Sequence, residues 1–179
     1  MADIFLRTYK VGESATGFNA PHKYRFAVKK NLQTTPYLDA WKRDLNKVLK
    51  ELIERIGVKF KADSIFAFAV APSRTGIFVE DIRQHLIASF PNAVDLSSCF
   101  SKRNGFDAGT TTQLLTDSEL RERFALDGQC YASKMNNEIH EILLVDDVFS
   151  LGNTLRGMSV IIHDIANDKQ ITTAVIIKT

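Results

Sequence analysis

From Ser64 onward the chain alternates continuous apolar runs with amphipathic segments, and few folds accept that order. The stretches "SIFAFAVA" (64–71), "AVDLSSCF" (93–100), "EILLVD" (141–146) and "ITTAVIIK" (171–178) read as strands. Between them, "TGIFVEDIRQHLIASF" (75–90) places Ile77, Phe78, Ile82, Leu86 and Phe90 on one side of a helix that Pro91 stops, and "TLRGMSVIIHDIA" (154–166) reads as a second helix. A strand without polar alternation is buried on both faces, as happens in a parallel sheet covered by helices on each side. The predicted class is α/β: a parallel sheet flanked by helices on both faces, with an N-terminal strand/helix extension.

That extension is harder to read. The first 33 residues mix aromatics, Gly and Lys without periodicity, and "HKYRFAVKK" is predicted as a strand. Thr35 suits an N-cap and Pro36 a first helical position. Leu38, Trp41, Leu45, Val48, Leu49, Leu52, Ile53 and Ile56 then recur at helical spacing, with Gly57 as the expected stop. The expected division is residues 1–60, a hood with an amphipathic helix over 36–56, followed by a core over 61–179. Between Phe100 and Ile142 a single helix signal appears, the capping box from Thr116 to Glu119 before "LRERFAL", with Gly128 after it. Ahead of it "SKRNGFDAGTTTQLL" has nothing to bury, and so long a loop in a compact domain is functional or disordered.

Bulk properties narrow the function classes. A chain of 179 residues buries roughly 70% of its unfolded surface and needs no metal or disulfide to hold a core. The net charge of +2, from 23 basic and 21 acidic residues, is too balanced to suggest direct nucleic-acid binding or a membrane surface. The two cysteines, Cys99 and Cys130, make no CxxC pair and no framework, which suits a reducing cytosol. The longest apolar run, "IFAFAVA" (65–71), is far short of the ~20 residues that cross a bilayer, and "MADIFLRTYK" is no signal peptide. A cytoplasmic location is expected. His22, His85, His140 and His163 show no metal-ligand spacing, and neither a GxxxxGKS/T nor a GxGxxG loop is present.

The stretch "EILLVDDVFSLGNTLRGM" (141–158) concentrates the chemistry. Ligands of a parallel sheet collect beyond the carboxyl ends of its strands, which is where Asp146 and Asp147 are expected. Adjacent carboxylates repel, and burying them is costly unless hydroxyls or a cation satisfy them. Sugar hydroxyls and Mg²⁺ both would. A tight turn feeding a helix then aims free N–H groups and the positive end of the helix dipole at one spot. Gly152 permits close approach of the backbone, and the Ser150 and Thr154 hydroxyls can donate to phosphate oxygens. Acceptors for hydroxyls beside donors for a phosphate suit a ribose phosphate.

"ILLVDDVFSLGNTL" resembles the phosphoribosyl pyrophosphate motif of type I phosphoribosyltransferases: four apolar residues, two acids, two apolar residues, two usually hydroxylated residues, Gly, any residue, then Ser or Thr. The resemblance, which spans about residues 62 to 178, implies that Asp146 and Asp147 hold the ribose 2′- and 3′-hydroxyls, directly or through Mg²⁺. It implies a 5′-phosphate held by Ser150, Leu151, Gly152, Asn153 and Thr154. "APSRTG" (71–76) looks like the family's pyrophosphate loop, with Ser73, Arg74 and Thr75 facing the diphosphate. The segment from Ser101 to Leu115 stands in the place of the catalytic loop, with Lys102 and Arg103 reaching the leaving group. Gln113, Leu115 and Arg121 are loosely similar to competence protein F-like members. The implied catalytic set is Asp146, Asp147, Arg74 and Lys102, with phosphoribosyl pyrophosphate, Mg²⁺ and a small nitrogenous acceptor as partners. A homodimer fits, since relatives are often dimers.

The sequence also departs from the family. Leu151 stands where Thr is common and removes one phosphate-facing hydroxyl. Ser150 stands where hypoxanthine–guanine enzymes carry an Asp that handles the base proton, which argues against that specificity. The cysteine-rich N-terminal segment of competence protein F relatives is absent. The family's C-terminal base-binding elements are missing or replaced by residues 1–60. Three alternatives follow: a non-catalytic sensor of phosphoribosyl pyrophosphate or another ribose phosphate, a role in DNA handling, and a receiver domain. The last also carries "LLVDD", but near its N-terminus and with a different continuation.

Overall fold

The computed structural model describes residues 3–8, 38–72, 77–103, 113–149 and 151–178. Among the described residues five strands form one parallel sheet: β1 (Ile4–Thr8), β2 (Ala67–Val70), β3 (Val94–Asp95), β6 (Glu141–Phe149) and β7 (Gln170–Lys178), in the spatial order β1-β7-β6-β2-β3. A second sheet is a small antiparallel hairpin of β4 (Phe100–Lys102) and β5 (Phe124–Leu126). The helices are α1 (Leu38–Lys59), α2 (Ile77–Ser89), α3 (Asp117–Arg123), α4 (Gly128–Lys134) and α5 (Asn153–His163). The α/β class and the parallel sheet are as expected.

Strand alternation sorts the core into two layers. Phe68, Val70, Leu143, Val145, Ala174 and Ile176 face α1 and α2, which contribute Leu45, Leu49, Leu52, Ile56, Ile82 and Leu86. On the other side Ala67, Ala69, Ile142, Leu144 and Val175 face α5, α3, α4 and the hairpin, through Leu155, Met158, Leu120, Tyr131, Phe100 and Phe124. The alanines of β2 leave room there for the hairpin aromatics. That double burial is why the central strands lack polar alternation.

Several boundaries differ from the sequence reading. α1 runs past Gly57 to Lys59, because Phe60 is fully buried and its N–H continues the helical pattern to the Ile56 carbonyl at 2.9 Å. Thr35, Pro36 and the strand expected at "HKYRFAVKK" lie outside the described residues. Instead Ile4–Thr8 forms the sheet edge, started by Asp3, whose carboxylate accepts from the Thr173 N–H at 2.8 Å. The strand expected over 93–100 shrinks to Val94–Asp95, because Asp95 accepts the Ser97 N–H at 2.8 Å and folds the chain into a 3₁₀ turn over Ser97–Cys99. "FAL", read as part of a helix, is β5; the capping box of Thr116 and Glu119 does form, but its helix ends at Arg123.

α4 was not foreseen. It is capped by Asp127, whose carboxylate accepts from the Gln129 and Cys130 N–H groups. The cysteines, expected to form no CxxC pair and no framework, are joined: the 3₁₀ turn carries Cys99 against the start of α4, and Cys99 and Cys130 form a disulfide with their Cα atoms 5.4 Å apart. Disulfides are rare in the cytosol, so the cysteines no longer support a cytoplasmic location. No helix among the described residues is long and apolar enough to cross a membrane.

Candidate active site

The order of the strands creates a crevice. From β2 the chain crosses through α2 to β3 on one side, while from β6 it crosses through α5 to β7 on the other. Connections therefore leave β2 and β6 in opposite directions at their carboxyl ends, and such a switch point is where open α/β sheets bind ligands.

β6 is longer than expected, and its length shapes the site. Its pairing with β2 ends at Val70–Val145, closed by the Ala71 N–H on the Val145 carbonyl at 2.7 Å. Pairing with β7 continues from Asp146 against Val175 to Phe149 against Lys178. Asp146 and Asp147 thus sit on the part of β6 that outruns β2, past the carboxyl end of that strand's pairing.

The two acids are in direct contact. Asp146 accepts the Asp147 backbone N–H at 2.9 Å. Burial first, and then the neighbouring Asp147 carboxylate, push the Asp146 carboxyl well above the usual range, while the charge of Lys102 pulls it back. Lys102, at the end of β4, thus acts on Asp146 through its charge, although it is 44 positions away in sequence (146 − 102). Arg103 is exposed and donates its backbone N–H to the Arg123 carbonyl at 2.8 Å.

Beyond β6 the chain turns through Gly152, whose φ of 75° and ψ of 10° place it in the left-handed region. A Cβ is strained there, which accounts for the glycine. Gly152 is the N-cap of α5 and has no side chain to occupy the first-turn N–H groups, so those of Asn153, Thr154 and Leu155 are presented at the helix start. Thr154 is buried and Leu151 half-buried. The Asn153 side chain is turned elsewhere: its Oδ1 accepts from the Leu115 N–H at 3.1 Å and its Nδ2 donates to the Gln113 carbonyl at 3.0 Å. Both polar atoms of its side chain are thereby engaged with the chain itself. Ser73, Arg74, Thr75 and Ser150 lie outside the described residues.

Arg121 belongs to a different place. It forms a two-pronged pair with Asp164 at 2.8 and 2.9 Å, at the opposite end of α5 from Gly152, and ties α3 to that helix. What the sequence reading missed is Arg156, one turn into α5, which donates to the Leu115 carbonyl and to Asp117, both at 2.9 Å. An Arg three positions after Asn153 on the same helix face was the available signal.

No group of three or more His, Cys, Asp or Glu residues able to hold a metal occurs among the described residues. The adjacent carboxylates fit a looser arrangement. Mg²⁺ commonly takes one or two carboxylates and fills its octahedron with water and substrate oxygens. A carboxyl that burial and a like charge make reluctant to ionise is one that a divalent cation would stabilise.

No family model matches the chain, and no curated protein matches it. Among solved structures, a hypoxanthine phosphoribosyltransferase from Staphylococcus aureus is similar over 76% of this chain and 73% of its own, at 13% identity and a TM-score of 0.40. A likeness of that size assigns no residue a role.

Proposed function

We propose that this chain is a phosphoribosyltransferase-type enzyme that binds phosphoribosyl pyrophosphate and transfers the ribosyl 5-phosphate to a nitrogen nucleophile. One observation carries the reading: the acidic pair lies where β6 outruns β2 at the switch point, and a left-handed glycine opening a helix follows it within six residues (152 − 146). Asp146 and Asp147 accept from the ribose 2′- and 3′-hydroxyls, and the first-turn amides of α5 receive the 5′-phosphate. The acceptor nitrogen bonds to C1 of the ribose as the bond from C1 to the pyrophosphate oxygen breaks, and the pyrophosphate leaves with the electron pair. Lys102 stabilises that growing negative charge, and the Arg74 loop is assigned the same task from the sequence. Mg²⁺ held beside Asp146 and Asp147 would neutralise the diphosphate. No protein nucleophile is required, so rate enhancement comes from positioning and charge.

Titration calorimetry with phosphoribosyl pyrophosphate and Mg²⁺, followed by pyrophosphate release over a panel of nitrogenous acceptors, tests this. Binding with turnover is expected. Binding without turnover for any acceptor identifies a sensor instead, and no binding at millimolar ligand removes both readings.

A further inference from the structure

Asn153 is the residue whose behaviour the proposed chemistry does not explain. It is 2% exposed, although it begins a helix beside the crevice. Its side chain makes two hydrogen bonds to one short stretch of backbone, accepting from the Leu115 N–H and donating to the Gln113 carbonyl. A C=O and an N–H two residues apart point the same way in an extended chain, so the amide pairs with them much as a neighbouring strand would. Arg156 adds a third bond to that stretch, to the Leu115 carbonyl at 2.9 Å, and a fourth to Asp117 at 2.9 Å. Leu115 is buried in the core layer next to α5, whereas Leu114 between the two bonded residues is exposed.

The first turn of α5 is thus attached by side chains to residues 113–117, and α3 and β5 lead from there back to β4 and Lys102. Only an amide does this from position 153. Asp cannot donate to the Gln113 carbonyl, Ser is too short to make both bonds, and an apolar residue leaves the buried Leu115 N–H and the part-buried Gln113 carbonyl without this partner.

We propose that Asn153 is a positioning residue for the phosphate-binding turn: by clasping the Gln113–Leu115 backbone it fixes the direction of the first-turn amides of α5. This rests on the reading of that turn as a phosphate site. Pre-set amides bind an anion without the cost of ordering them. The role is separate from folding because it concerns one ligand group, the monoester, and not the diphosphate.

The test compares ribose 5-phosphate, which uses the turn, with inorganic pyrophosphate, which the loop after β2 would take. In Asn153→Leu the affinity for ribose 5-phosphate is expected to fall about tenfold or more, with pyrophosphate affinity unchanged. Arg156→Gln, on a partly exposed side chain and milder for folding, is expected to weaken the same ligand to a smaller degree. Ribose 5-phosphate binding that neither variant changes overturns the inference alone, and so does an equal loss for both ligands. A wild-type protein that binds no ribose 5-phosphate at millimolar concentration overturns the phosphate site and the inference together.

Discussion

The ring of Phe124 lies so close over Gly157 that a Cβ added to the glycine would come within 2.3 Å of its Cδ2. Phe124 belongs to β5 and is fully buried; Gly157 is in the second turn of α5. The contact seats the hairpin that carries Lys102 on the helix that Gly152 caps. A glycine inside a helix usually costs about 1 kcal/mol relative to alanine, and here the close approach of the ring outweighs that cost.

Gly157→Ala should therefore destabilise the protein despite the better helix former. Overpacking costs about 1–3 kcal/mol, which for a chain of this length lowers the Tm by roughly 2–4 °C per kcal/mol. Phe124→Leu in the same chain should recover part of the loss, so that the two changes are not additive. Thermal unfolding of the single and double variants measures both. A stabilised Gly157→Ala would show that the ring does not sit there.

Asp95, at the end of β3, sets part of the acid limit of stability. Burial pushes its carboxyl up, but hydrogen bonds from Ser97 and the paired Arg83 guanidinium outweigh this and hold it below the ordinary value. An acid with a lowered folded pKa stabilises above its unfolded pKa, and that stabilisation is lost as the pH falls through the folded value. Asp95→Asn should cost about 1 kcal/mol at pH 7, the figure for a hydrogen bond to a charged group discounted for the partial exposure of Arg83. Urea titrations over a pH series should show the gap closing below about pH 4. A gap that persists in acid would place the cost in packing and not in charge.

The Cys99–Cys130 bridge closes a sequence separation of 31 residues. Constraining an unfolded loop of that size is worth about 3–4 kcal/mol in the chain-entropy account. A small dithiol, or Cys130→Ser, should lower the urea midpoint by a corresponding amount, with the dithiol having no effect on the variant. Equal midpoints with and without the dithiol in the unmodified chain would mean that the bridge is not formed in solution.

Physical range explains what the sequence disclosed. β6, β7 and α5 were legible because each is long and its burial pattern is a local property of its own residues. The strand–turn–helix unit that carries Asp146, Asp147 and Gly152 was legible for the same reason. What escaped was short or distant. β4 and β5 have three residues each and exist only because they pair with one another. β3 was overread because a single Asp–Ser hydrogen bond ended it. Two cysteines 31 positions apart give no hint of pairing until a 3₁₀ turn brings them together. Asn153 was expected only as one of the motif residues that hold the 5′-phosphate. Its side chain instead answers to Gln113 and Leu115, which are about forty positions away.

The acids themselves give the sharpest separation between function and folding. Burial and the charge of Asp147 hold the Asp146 carboxyl well above the ordinary range. For an acid with a raised folded pKa, stability is greatest below the unfolded value and is lost as the pH rises through the folded one. Asp146→Asn removes that loss while keeping an oxygen to accept the Asp147 N–H, so its Tm should equal or exceed that of the parent, with the advantage growing from acid to neutral pH. The same variant should lose at least about tenfold in affinity for ribose 5-phosphate, because an amide is a poorer acceptor for sugar hydroxyls than a carboxylate. Lys102→Ala should weaken pyrophosphate more than ribose 5-phosphate, since the ammonium is assigned to the leaving group and reaches the sugar site only through its charge on Asp146. Calorimetry with the two ligands, alongside thermal unfolding, checks each arm. A less stable Asp146→Asn that binds ribose 5-phosphate normally would make the acidic pair a structural feature of β6 and leave the crevice without its sugar.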